Sequence, residues 1–327
     1  MSEHFNENST ALEVVENIDL KGYEVIVTGS SSGIGVETVR ALAKAGARCI
    51  MCCRDINKGK QIANEIILST KNDKVEVENL ELNSLDNINR FVQRFLAKNR
   101  PLNILINNAG IIEESQSFTE NGFETQFGVN YLGHFALTIG LLPSLKEGAK
   151  ILKKKSRVIN LTSAVHAGAN IDFNDLNFVN GRQYDPFISY SQSKACISLF
   201  SLALTNRYFD DGVVSNSVMP GVTMTNLMNS FSKETMIRKG WINPDGSATM
   251  KMKCVENGAA TTVWTATAVD LEGKGKLYLE DCGIGKETFN AEEVLLKLRG
   301  FVPYIMNNEL ADKLWDISEK FIQRKSP

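Results

Sequence analysis

The sequence predicts an α/β fold, a single doubly wound parallel sheet with helices on both faces. Two observations carry that expectation. Short apolar runs rich in Val, Ile and Leu alternate with stretches of helical periodicity over most of the chain, the rhythm of strands joined by helical crossovers. The first run also ends in a glycine turn that opens a helix, as a phosphate-binding βα junction does.

Taken in order, Tyr23-Glu24-Val25-Ile26-Val27-Thr28 reads as a strand, followed by the turn Gly29-Ser30-Ser31-Ser32-Gly33-Ile34-Gly35. Residues 36–45 carry Val39, Leu42 and Ala43 at helical spacing, with Gly46 as the stop, and 48–53 form a second strand, completing a βαβ unit. A helix over 57–69, a strand over 75–80, a helix over 85–97 and a strand over 102–106 continue the pattern. The second half adds a long helix near 125–142, a strand at 157–161, a helix at 189–207 and a strand at 213–218. Beyond Pro220 lies an irregular stretch bearing Met and aromatic residues. A helix near 256–268, a strand at 276–279 and terminal helices at 292–298 and 309–323 follow. With no Pro/Gly/Ser linker and no repeat, one compact unit is expected. Residues 1–19 form a polar extension, 20–285 the α/β domain with an irregular loop at about 222–250, and 286–327 a helical extension packed on that domain.

Composition narrows the function. The 327 residues hold 36 Lys+Arg against 38 Asp+Glu, a net charge of −2, which gives no bulk electrostatic reason for a nucleic-acid partner. At 43% hydrophobic the chain can bury a large core, which excludes disorder throughout. Six cysteines are too sparse for a disulfide scaffold and read as reduced thiols. Cys49-Ile50-Met51-Cys52 fits the C-x-x-C spacing but sits inside an apolar strand, where core packing is the better reading than a redox pair. Three histidines offer no metal-ligand spacing, so no metal is expected. The polar start lacks a signal-peptide pattern, and no run of ~18 apolar residues provides a spanning segment. The expectation is therefore a soluble, cytoplasmic protein, with surface attachment through a helix face left open.

The glycine turn points to a cofactor. Gly29, Gly33 and Gly35 permit close backbone approach, while the new helix offers unpaired N–H groups and its positive dipole end to a pyrophosphate, with Ser31, Ser32 and Ile34 in the same turn. The second strand ends at Cys53, followed by Arg54 and Asp55, where the adenosine ribose would lie. An Arg there suits a 2′-phosphate and directs the choice towards NADP(H), with NAD(H) possible; the alternative is a solvated Arg54 before a helix capped by Asp55.

Tyr190 and Lys194 are four residues apart on a predicted helix, hence one turn apart on one face. A neighbouring ammonium favours a phenolate and lowers the phenol pKa, which would let Tyr190 serve as general acid or base. Such pairs also occur on ordinary solvated helices. Asn107-Asn108-Ala109-Gly110, Asn130 and Thr162-Ser163 all fall at the carboxyl edge of the predicted sheet, where open α/β folds bind ligands. At these residues the chain resembles the short-chain dehydrogenase/reductase family over roughly 20–285. The family's TGxxxGxG is similar to Thr28–Gly35, its NNAG to Asn107–Gly110, and its YxxxK to Tyr190–Lys194. Cys52-Cys53-Arg54-Asp55, Asn130-Tyr131-Leu132-Gly133-His134-Phe135 and Ser163-Ala164-Val165-His166 resemble its retinol-dehydrogenase-like group, while Gly258-Ala259-Ala260-Thr261-Thr262 and Gly275-Lys276-Leu277-Tyr278 are similar to the oxidoreductase part of its WW-domain-containing-oxidoreductase-like group, here without a WW module.

The resemblance implies a Rossmann-type fold and an NAD(P)-dependent enzyme with Asn130, Ser163, Tyr190 and Lys194 as catalytic residues. It implies cofactor contacts from Gly29, Ser31, Ser32, Gly33, Ile34, Gly35, Arg54, Glu81, Leu82, Asn108, Ala109, Gly110, Tyr190, Lys194, Pro220, Gly221 and Thr223, with Thr225 also in reach. Glu81 stands where the family commonly has Asp. Ser163 would hold the substrate oxygen, Tyr190 exchange its proton, Lys194 bind the ribose and Asn130 keep a relay water; His166 is read as a loop residue lining the pocket. Met224, Leu227, Met228, Phe231, Met236, Ile237 and Trp241 form either a pliable lid over a lipophilic alcohol or carbonyl or a cover for the core or a subunit contact. Retinoids, steroids and smaller aldehydes are not distinguished. A homodimer through the long helices follows by resemblance, and the competing function is a dinucleotide-binding sensor or scaffold.

Overall fold

In the computed structural model, residues 5–223, 225, 227, 231–238, 240–249 and 252–323 are described. Eight strands form one sheet in the order β3-β2-β1-β4-β5-β6-β7-β8. They are β1 (Glu24–Thr28), β2 (Arg48–Cys53), β3 (Val75–Asn79), β4 (Ile104–Asn107), β5 (Ser156–Leu161), β6 (Val213–Met219), β7 (Tyr278–Glu280) and β8 (Gly283–Ile284). β1 to β7 pair in parallel, and β8 turns back antiparallel on β7. The chain winds outward from β1 in one direction and from β4 in the other. Their carboxyl ends therefore flank the switch point at which such sheets bind ligands.

The strands are buried on both faces, and alternate residues enter different cores. Val25, Val27, Cys49, Met51, Ile104 and Ile106 meet α1 (Ala11–Val14), α2 (Ile34–Lys44), α3 (Ile56–Thr70) and α9 (Ala260–Thr267). Ile26, Ile50, Cys52, Leu105 and Val158 meet α4 (Leu85–Ala97), α5 (Gly133–Leu152), α6 (Pro186–Tyr208) and α11 (Asn308–Ile322). Cys49 and Cys52 thus point to opposite faces, and burial raises both thiols far above their usual range. Their C-x-x-C spacing is a packing pattern, as the apolar strand around it implied. The short helices α7 (Lys233–Arg238), α8 (Val255–Gly258) and α10 (Ala291–Lys297) complete the chain.

Two features depart from the sequence reading. The helix expected to stop at 142 runs on to Leu152, through Pro143. Pro143 is exposed while Leu142, Leu145 and Ala149 stay buried, so the hydrogen bond lost to proline faces outward and the apolar stripe carries the helix onward. Before α5, residues Phe127–Leu132 form a π-helix rather than ordinary α-helix. The long helices are themselves partly covered. α11 lies across α5 and α6, with the Trp315 ring 5.0 Å from Phe135 and 6.1 Å from Phe200, and with Tyr131 Oη and Ser318 Oγ 2.7 Å apart. α11 thus covers part of the outer face of α5 and α6. Among the described residues no helix is long and apolar enough to cross a membrane.

Candidate active site

The glycine turn is forced by its neighbours. Gly29 and Gly33 have φ of 63° and 58°, and a Cβ on Gly29 would lie 2.8 Å from Ala109 Cα. On Gly35 it would lie 2.6 Å from the Gly29 carbonyl oxygen and 2.7 Å from Asn108 Nδ2. No side chain caps the start of α2, and the Ser31 and Ser32 hydroxyls make no hydrogen bond among the described residues. Backbone N–H groups and hydroxyls are therefore free at a dipole's positive end, the requirement for cradling phosphate. Asn108 ties β4 to this turn by donating from Nδ2 to the Thr28 and Gly29 carbonyls at 2.7 and 3.2 Å.

Thr28 is a hub that the motif alone did not reveal. Its Oγ1 accepts from the backbone N–H of both Asn108 and Ala109 at 3.0 Å, and it lies 2.9 Å from His134 Nε2. His134 Nδ1 is 2.8 Å from the Asn130 carbonyl oxygen, which can only accept, so Nδ1 carries the proton and Nε2 accepts from Thr28. Burial pushes the imidazole down to about 4, keeping it neutral. The signal that could have found it is the i, i+4 spacing of Asn130 and His134 on one helix.

Asn130, within the π-turn, is fully buried. Its Nδ2 donates to the Ile111 carbonyl at 2.9 Å and to Ser193 Oγ at 3.0 Å, while its Oδ1 accepts from Ile111 N at 2.8 Å. It thereby joins the loop after Gly110 to α6. That helix is started by Asp185, whose carboxylate accepts from the Phe187 and Ile188 N–H groups, with Pro186 at its first position. Tyr190 and Lys194 lie one turn apart on it, the Nζ 5.4 Å from the phenol ring centre. Lys194 Nζ donates to the Leu161 carbonyl at 3.0 Å and lies 3.5 Å from where a Cβ on Gly110 would stand.

The structure corrects one electrostatic expectation. Burial pushes the Tyr190 phenol up, not down, and pushes Lys194 down to about 8. Burial is the cause of both shifts, and the ammonium, 5.4 Å from the ring centre, does not offset the cost of burying a phenolate. Among the described residues the phenol oxygen has no hydrogen-bond partner. Its ring packs with Ile112 and Phe231, flanked by Val165, Phe187, Leu227, Met236 and Trp241. Phe187, Phe231 and Trp241 contact one another with ring centres 5.0 to 5.6 Å apart. Ile112 and Phe187 were not anticipated. Ile237 is on α7 outside this cluster, and Met224 and Met228 lie outside the described residues. The segment is latched by Glu114, which accepts from Thr235 Oγ1 at 2.7 Å and from Ser232 N at 3.4 Å. A lone Glu in a loop gave no signal of this.

Ser163 ends the β5 segment in extended conformation and caps a 3-10 turn, Ala164–Gly168, its Oγ accepting from Val165 N at 3.3 Å. Nearby, Pro220 precedes Gly221 at φ 91°, and a Cβ on Gly221 would lie 2.8 Å from Lys253. Thr223 packs against Gly258 and pairs with Lys253 in a parallel bridge, while Thr225 lies 3.2 Å from a Cβ on Gly33. At the far edge, Arg54 is exposed, and among the described residues its guanidinium makes neither ion pair nor hydrogen bond. Asp55 is used as the α3 cap, accepting from Lys58 N at 2.9 Å. Glu81 is half-buried with its N–H donated to Asn87, and the Leu82 carbonyl abuts Gly133. His166 is buried beneath the Ser163 turn rather than lining a pocket. Among the described residues no cluster of three metal-ligating side chains occurs.

Fold and crevice together define a dinucleotide-binding α/β protein. Residues 24–174 match the family described as short chain dehydrogenase. Mouse retinol dehydrogenase 12 is 37% identical over 303 residues, covering 92% of this chain and 87% of that protein. The WW domain-containing oxidoreductase of Gallus gallus is 35% identical over 332 residues, covering 99% and 74%. A crystal structure of an uncharacterized protein from Mycobacterium paratuberculosis superposes with a TM-score of 0.71 at 28% identity, covering 96% of this chain and 98% of that one. The chain belongs to the short-chain dehydrogenase/reductase family and is an NAD(P)-dependent oxidoreductase of retinol-dehydrogenase-like type.

Proposed function

We propose that the protein is an NADP(H)-dependent oxidoreductase that interconverts an alcohol and a carbonyl on a lipophilic small molecule, with Tyr190 as general acid and base. The observation that carries it is a buried phenol without a hydrogen-bond partner among the described residues, one helical turn from a buried ammonium and walled by aromatic and aliphatic side chains. A hydroxyl so placed offers its proton to an apolar ligand's oxygen.

The residues present fit a dinucleotide. The glycine turn and the uncapped α2 would hold its pyrophosphate, Glu81 and Leu82 would flank the adenine, and Asn108, Ala109 and Gly110 would line the crevice. Pro220, Gly221 and Thr223 would meet its other end. Arg54 would take the 2′-phosphate: Asp55, the carboxylate that could favour NAD(H), is engaged in capping α3, while the guanidinium beside it is unpaired among the described residues. When bound, the cofactor supplies or accepts the hydride.

The rest belongs to the chain. Ser163 Oγ donates a hydrogen bond to the substrate oxygen and holds it towards Tyr190. In reduction, Tyr190 Oη gives its proton to that oxygen; the raised phenol pKa keeps the proton in place until then. Lys194 holds the ribose and, once the phenolate forms, stabilises it. Asn130 fixes the loop that borders Lys194 and is assigned the water leading to solvent. Phe187, Phe231 and Trp241 exclude water from the reacting oxygen. The sensor reading is not favoured for a member of an enzyme family that retains these four side chains. Turnover of decanal, cinnamaldehyde, retinal and a steroid ketone with NADPH and with NADH tests the proposal; it predicts NADPH-dependent reduction of at least one, and no turnover of any, or turnover with NADH alone, contradicts it.

A further inference from the structure

We infer that His166 is a positioning residue that fixes Ser163 and through which the C-terminal segment around Val302 is built into the site. The inference rests on the reading of Ser163 just given. His166 is fully buried three residues after Ser163, and its Nδ1 donates to the Ser163 carbonyl at 2.7 Å, beside the backbone bond from His166 N to the same oxygen at 3.1 Å. Its Nε2 accepts from Val302 N at 3.3 Å. One partner can only accept and the other can only donate, so the two together admit a single neutral tautomer. Burial, which pushes this imidazole down to about 4, acts in the same direction.

The ring is a strut between the Ser163 turn and residues more than 130 positions away. It is held from the side by Tyr278, with ring centres 5.4 Å apart, and Phe301 packs on Tyr278 in turn. The extension also grips the backbone after Ser163, since Tyr304 Oη donates to the Ala169 carbonyl at 3.0 Å and to the His166 carbonyl at 3.4 Å. A solvated loop would leave the Ser163 hydroxyl free to wander. Bonded from both ends, the turn has one conformation, and rate depends steeply on such placement.

Two variants break the strut from opposite ends. His166→Phe keeps an aromatic ring, slightly larger, and loses both hydrogen bonds. Val302→Pro leaves His166 intact and removes the N–H; Val302 has extended backbone, φ −91° and ψ 142°, outside any helix, and a shift of φ by roughly 10° brings it into proline's range. His166→Asn retains a donor near the Nδ1 position and serves as partial rescue. Assayed with NADPH and the aldehyde turned over best among those above, His166→Phe and Val302→Pro are each expected to lower kcat by about 10- to 100-fold with the NADPH Kd unchanged. Their double variant should lose no more than the worse single one, because they sever one connection. His166→Asn should recover part of the loss. Ser163→Ala with full turnover overturns the reading beneath the inference. Ser163→Ala inactive, with His166→Phe and Val302→Pro at wild-type kcat, overturns the positioning role alone. Losses that multiply in the double variant, or that fall on NADPH binding, also overturn it. If His166→Phe does not fold, Val302→Pro, with the native ring in place, decides between the same outcomes.

Discussion

Replacing Lys194 by Met should make the cofactor-free protein more stable while abolishing turnover. The folded protein holds this ammonium with its pKa lowered from 10.5 to about 8, and 2.5 pKa units at 1.36 kcal/mol each correspond to about 3 kcal/mol of cost for keeping it charged. Both the folded and unfolded chains carry the proton below pH 8, so the full cost applies at pH 7. Between pH 8 and 10.5 only the unfolded chain retains it, and the cost fades as pH rises. Met fills similar space without charge but leaves the Leu161 carbonyl without the 3.0 Å bond from Nζ, a loss of ~1 kcal/mol or more. The net is a stabilisation of ~1–2 kcal/mol at pH 7 that shrinks towards zero by pH 10. Urea unfolding of wild type and Lys194→Met at pH 7 and pH 10 measures it. A variant less stable than wild type at pH 7, or an equal gain at both pH values, refutes the argument that burial of this cation is a cost borne for function.

Arg54→Ala should raise the NADPH Kd by about 10- to 100-fold, the worth of a charge-assisted bond of ~1.5–3 kcal/mol, and leave NADH binding unchanged; fluorescence titration with both cofactors reads it. His134 and His166 are both held near 4 in the folded chain against 6.5 ordinarily, so the unfolded chain binds more protons between these values. Stability should be fully present above pH 6.5 and fall as pH drops towards 4, by up to about 3 kcal/mol for each, and denaturation across that window in wild type and His134→Gln should show a shallower fall in the variant. Trp315→Ala, which empties the seat of α11 on Phe135 and Phe200, should cost about 3–5 kcal/mol and expose the α5–α6 face; calorimetry and light scattering would detect the lost stability and any new self-association.

Much of this was readable from residue order, for physical reasons. Strands buried on both faces are apolar at nearly every position, so 25–27 and 49–53 stand out as runs, and 85–97 is legible end to end from its apolar stripe, with Ser84 supplying the cap in the structure. The carboxyl-edge residues could be gathered because parallel strands put all their carboxyl ends on one side. Other features depend on contacts that spacing does not encode. The end of α5 was misplaced because Pro143 is a local signal for stopping, whereas Leu145 and Ala149 continue a stripe whose partner, β4 and its surroundings, is distant in sequence. The covering of α5 and α6 by Trp315, the Glu114 latch and the His166 strut each join segments more than 100 positions apart. The direction of the Tyr190 shift was misjudged because spacing places the ammonium but says nothing about how much water the fold removes.

The central claim is that the Tyr190 hydroxyl delivers the proton. Single-turnover reduction by Tyr190→Phe preloaded with NADPH tests it most directly, since only one oxygen atom is removed and the aromatic packing with Ile112 and Phe231 remains. The account predicts a rate lowered by about 100- to 10,000-fold with the NADPH Kd intact. A variant that reduces the aldehyde at the wild-type rate would contradict it.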